Sequence, residues 1–176
     1  GEDLIAMRLL EEIHRLNPAI ELSVLPLVGK GNSFKSAISS GWLKRVGPIA
    51  KLPSGGFSNQ SFQSLIADVL AGLTCITIKQ WLCVHALVQK RHSVLAVGDL
   101  LPLLIAWTTG ARFAFVGTPK SDYTWRSGPS SSVSDIYHRL KGSEWDPWEW
   151  RLMRSSRCQF VAVRDQLTAR GLNQHE

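Results

Sequence analysis

Two acidic positions, far apart in the chain, stand where an α/β protein can use them. Asp99 follows the apolar run Ser93 to Val97 and precedes a helix-forming run that starts at Leu100. In open parallel sheets, ligands bind in the crevice beyond the carboxyl ends of the strands. A carboxylate at that point can serve as a general base or hold an acceptor hydroxyl, and it can equally cap the following helix. Glu2 and Asp3 open the first helical pattern, where backbone N–H groups attract anionic ligands and the macrodipole by itself favours acids.

Two loops add binding chemistry. Gly117 to Trp125 is the densest polar and aromatic cluster in the chain. In it Lys120 can pair with a phosphate and Tyr123 or Trp125 can stack on a sugar ring or a base, with Ser121 and Asp122 beside them as candidate substrate-binding residues, although surface loops routinely contain such residues. Ser54, Gly55 and Gly56, between Pro53 and Phe57, resemble a backbone nest for anions, or equally a flexible turn. No Walker Lys-Ser/Thr ending and no GxGxxG accompany them, which excludes the common ATPase and dinucleotide fingerprints. The cluster Trp145, Pro147, Trp148, Trp150 with Arg151, Arg154 and Arg157 suits either a membrane or partner contact, or core packing under a basic face. His14, His85 and His138 are scattered. Cys75, Cys83 and Cys158 lie in apolar segments without metal-ligand spacing and read as buried, reduced thiols, with no metal implied.

The elements that position these residues alternate. Leu4, Ile5, Leu9, Leu10, Ile13 and Leu16 recur at helical spacing up to Pro18. Glu21 to Val28 reads as a strand, Ser33 to Ser40 as a short helix, Leu43 to Val46 as a strand, and Gly47 to Ser61 as a long loop. Phe62 to Gln89 is a long helical pattern, broken near Gly72 or Thr74, with apolar residues on more than one face. It must be largely buried or make an exposed apolar contact. Strand Ser93 to Val97, helix Leu100 to Thr109 and strand Phe113 to Val116 follow in quick succession, which implies a parallel sheet. After the loop Thr118 to Val133 come helical patterns at Asp135 to Leu140 and Pro147 to Arg154, a strand at Gln159 to Val163 and a short helix at Asp165 to Gly171. The fold class is α/β, a Rossmann-like parallel sheet flanked by helices. In a doubly wound fold the first helix follows a strand, so 1–176 reads as one domain with its first strand missing.

The 176 residues are 44% hydrophobic and 19% charged, which suits a single domain with an ordinary core. A net charge of +6 and a pI near 9.6 favour an anionic partner. The basic residues are dispersed and no RNA or DNA motif occurs, which makes nucleic acid the minor alternative. Neither a secretory leader nor a transmembrane run is visible, so a cytoplasmic location is expected, compatible with peripheral contact at the membrane face.

Several stretches together resemble one bacterial group, called lipid-A-disaccharide synthase-related. They are Gly1 to Ala6, Leu52 to Ser58, Val97-Gly98-Asp99 with Pro102, Phe115 to Tyr123, and Leu152 to Ser155 through Val163 to Asp165. That group resembles the lipid-A-disaccharide synthases, GT-B enzymes built of two Rossmann-like halves. The resemblance implies that this chain is the N-terminal, acceptor-side half, with the C-terminal donor domain absent, and that alone it is not a complete enzyme. It implies inverting hexosyl transfer without an obligatory metal, from a nucleotide-sugar, UDP-linked in that family, to a lipid or glycolipid acceptor. Asp99 matches the catalytic carboxylate of the synthases and is the first candidate base, with Glu2 the second. The Ser-Gly-Asp that follows Glu in the synthases is absent, and Leu101 to Leu104 replace their further Asp and Asn.

Overall fold

The computed structural model describes residues 2–53, 62–117 and 147–163, together with the single positions 166 and 169. Helix α1 (Glu2–Leu16) forms where the apolar spacing predicts it, burying Met7 and Leu10. Glu2 and Asp3 complement its positive end, His14 and Arg15 its negative end. Strand β1 (Leu22–Val24) is shorter than the run Glu21 to Val28 predicts. Pro26 lacks the N–H that a ladder needs, and after it the chain meets its neighbour once more, at a parallel bridge between Val28 and Ala50.

A 3-10 turn (Asn32–Phe34) leads into α2 (Lys35–Ser39), and β2 (Leu43–Arg45) returns parallel to β1 with Leu22 opposite Leu43. The long apolar pattern is divided as expected, into α3 (Phe62–Leu70) and α4 (Leu73–Gln89). Gly72 makes the break at φ 90°, a left-handed conformation that most residues avoid. The second unit is β3 (Val94–Gly98), α5 (Leu100–Thr108), β4 (Phe113–Gly117), α6 (Pro147–Met153) and β5 (Cys158–Val163). The expected loop Thr118 to Val133 and helix Asp135 to Leu140 lie outside the described residues. Of Asp165 to Gly171, the described Gln166 and Ala169 are helical.

Among the described residues all strand pairs are parallel, in a two-stranded sheet β1-β2 and a three-stranded sheet β3-β4-β5 with β4 at its centre. Flanked by helices, this is the α/β, Rossmann-like arrangement. Each sheet has its own apolar cluster: Met7, Leu10, Val24, Phe34, Ala37 and Leu43 in one, and Ala96, Leu103, Ala106, Phe113, Phe115, Leu152 and Met153 in the other.

Helix α1 ties the two together. Its first residue lies against Gly98 at the carboxyl end of β3, and near its other end His14 stacks on Trp42, just before the amino end of β2.

The face of α3 and α4 turns out exposed rather than buried: Ile66, Val69, Leu70, Ile78 and Leu82 are accessible. Cys75 shares that environment and is exposed, against the expectation of a buried thiol, while Cys83 and Cys158 are partly buried; all three are unbridged. Helical spacing alone places Cys75 among apolar residues without fixing which face meets the core. Among the described residues, no helix is long and apolar enough to cross a membrane.

Candidate functional site

Strand β3 ends at Gly98, whose φ of +123° turns the chain sharply from sheet into α5. The turn delivers Asp99 at the N-cap position in an extended conformation, yet its side chain makes no capping hydrogen bond to α5. The capping alternative therefore does not account for this carboxylate.

Residue 2 arrives at the same place from the far end of the sequence. A Cβ built on Gly98 would lie 2.9 Å from Glu2 Oε2 and 3.2 Å from its carboxyl carbon. A side chain at residue 98 would have to push the Glu2 carboxyl aside, in a backbone conformation (φ +123°) that L side chains rarely adopt. The two leading candidates, 97 positions apart in the sequence, thus meet at the carboxyl end of β3, with Asp3 adjacent and half-buried. Although Glu2 is an exposed residue, its carboxyl is partly desolvated here. That burial, then the charge of Asp99 and then that of Asp3, raise its pKa above the ordinary value, against a smaller lowering by the chain's amino group.

A raised carboxyl pKa has a defined effect on stability. Folded Glu2 holds its proton more firmly than unfolded Glu2, so the folded state binds more protons in the window between the ordinary and the raised pKa. Stability falls as pH rises through that window. Glu2→Gln, which cannot ionise, is expected to raise Tm relative to the wild type at about pH 8, with the gain shrinking as pH is lowered towards about 4. A Tm difference independent of pH would contradict the described environment of Glu2.

Gly98 is a second point of leverage. Gly98→Ala forces a side chain into a backbone conformation that costs on the order of 1–3 kcal/mol, and its methyl group displaces the Glu2 carboxylate. A lower urea midpoint is expected, and an unchanged one would show that the turn is not built as described.

The remaining sequence candidates divide. Ser54, Gly55, Gly56, Lys120, Ser121, Asp122, Tyr123 and Trp125 lie outside the described residues. Of the aromatic and basic cluster, α6 turns Glu149, Leu152 and Met153 into the interior, Arg151 and Arg154 remain exposed, and Arg157 lies 5.3 Å from the ring centre of Trp107. His14 and His85 serve as stacking partners of Trp42 and Trp81.

Sequence reasoning missed a cavity of about 800 Å³ formed after the carboxyl ends of β1 and β2, to which Lys30, Lys35, Arg45 and Lys51 contribute. It also missed Gln80, 1% exposed on α4, whose amide donates to the carbonyls of Leu27 (2.7 Å) and Pro48 (3.1 Å). The only signal was a glutamine inside an otherwise apolar helical run. Against known proteins, no family model, curated sequence or solved structure matches the chain.

Proposed function

We propose that this chain is the acceptor-binding, N-terminal part of an inverting, nucleotide-sugar-dependent hexosyltransferase resembling lipid-A-disaccharide synthase. The observation that carries the reading is the meeting of Glu2 and Asp99 beside Gly98, on the rim where open α/β sheets bind ligands.

The two carboxylates divide the work. Burial and the neighbouring charge of Asp99 raise the proton affinity of Glu2, which favours Glu2 as the group that accepts the acceptor's hydroxyl proton and reverses the order read from the sequence. Asp99 orients that hydroxyl and keeps the proton affinity of Glu2 high. As the proton passes to Glu2, the hydroxyl oxygen attacks the anomeric carbon. The bond from that carbon to the nucleotide diphosphate breaks, and its electron pair leaves with the diphosphate. The transition state has oxocarbenium character, and donors for the leaving diphosphate come from a second, donor-binding domain. The acceptor is a lipid or glycolipid, met at the cytoplasmic face of a membrane.

The test is sugar transfer by the full-length protein with Glu2→Gln or Asp99→Asn, read by product formation and by nucleotide-sugar hydrolysis. A second reading, a non-catalytic lipid- or sugar-binding module, draws on the exposed apolar side chains of α3 and α4. It predicts acceptor binding with no turnover in any form of the protein.

A further inference from the structure

The loops that leave the carboxyl ends of β1 and β2 enclose an open cavity of about 800 Å³. Lys30, Lys35, Arg45 and Lys51 all line it, and among the described residues no carboxylate does. None of the four forms an ion pair among the described residues. Four like charges gathered at one opening repel one another and raise the local concentration of anions. A solvated basic surface would share that charge, but it would not share the construction underneath.

The base of the cavity is fixed in place by neutral groups. Gln80, buried on α4, binds the carbonyl of Leu27 from one loop and that of Pro48 from the other. The amide of Gly29 donates to the Ala50 carbonyl at 3.1 Å, and that of Ala50 to the Leu27 carbonyl at 3.0 Å. Gly47 sits at φ +67°, and a Cβ there would come within 2.7 Å of the Leu25 side chain. The two loops are thus joined to each other and to α4 before any ligand arrives, so binding does not have to order them.

From this geometry we infer that the cavity is a binding site for a phosphate-bearing group. The cationic side chains receive the phosphate, and Val28, Ile49 and Leu52 form an apolar wall for the body that carries it. The volume falls within the usual range for a small-molecule site and exceeds what a bare ion requires. The site is independent of the carboxylate pair: Asp99→Asn leaves phosphate binding in place whether or not it alters sugar transfer, so the two readings fail separately.

The experiment is titration of the full chain with inorganic phosphate, and sedimentation with phosphatidylcholine vesicles that do or do not contain phosphatidylglycerol. Lys35→Gln/Arg45→Gln is compared with Lys79→Gln/Lys90→Gln, which removes the same charge from α4 and its carboxyl end, away from the cavity. Loss of two charge-assisted contacts lowers affinity by at least about ten-fold, whereas the control pair stays near the wild type. Saturable phosphate binding lost only in the cavity variant supports the site and assigns it to a soluble ligand. Vesicle binding lost only in that variant, without phosphate binding, supports it with a lipid headgroup as the source. Binding to neither probe, or equal loss in both variants, overturns the inference.

Discussion

Sugar transfer by the full-length protein is expected to fall by about 10²–10⁴-fold on Glu2→Gln, the usual contribution of a positioned general base. Gln keeps the shape and one hydrogen-bonding oxygen, so acceptor affinity changes little and the loss appears in kcat. Asp99→Asn acts differently. The charge of Asp99 is one of the causes that raise the pKa of Glu2, and its removal lowers that pKa. Because the base must be ionised to work, the rate drops as pH falls through its pKa. The acidic limb of the pH–rate profile in Asp99→Asn therefore moves to lower pH, along with a smaller loss of rate. Transfer undiminished in both variants would end the carboxylate mechanism, and a larger loss in Asp99→Asn would exchange the two roles.

Phe113→Ala is expected to destabilise the fold by about 3–5 kcal/mol. Phe113 is 1% exposed on the central strand β4 and belongs to the apolar cluster with Leu103 and Leu152. It is held from both sides, with Val94 of β3 and Cys158 of β5 opposite it in register. Truncation there leaves a cavity that a strand paired on both edges cannot close by shifting. Urea unfolding should show a lower midpoint at nearly constant m-value, and a loss under about 1 kcal/mol would mean that the cluster repacks.

Where local chemistry decided the outcome, the sequence was sufficient. Pro18, Gly72 and Gly110 punctuate helices through backbone constraints of their own, and Val94 to Gly98 and Phe113 to Gly117 are apolar enough to be strands in any context. The sharp turn at Gly98 placed Asp99 at the carboxyl end of β3 for the same reason. That Glu2 shares the location was not legible, because the approach depends on the path of α1 across two sheets and on the missing side chain of Gly98. The role of Gln80 was hidden in the same way: its partners are backbone carbonyls 53 and 32 positions away, which no spacing rule registers. The shortening of β1 was readable from Pro26. The exposure of Cys75 was not, since it turns on which face of α4 meets the rest of the molecule.

The division of the strands into two sheets, each with its own apolar cluster and tied through α1, has a consequence for motion. Two apolar clusters of this kind are expected to protect their amides as separate cooperative blocks in native-state hydrogen exchange. Met7 and Leu10 anchor α1 in one block, while Glu2 reaches the other at Gly98. The carboxylate pair therefore straddles the boundary, and a rotation of α1 relative to the second block would part Glu2 from Asp99.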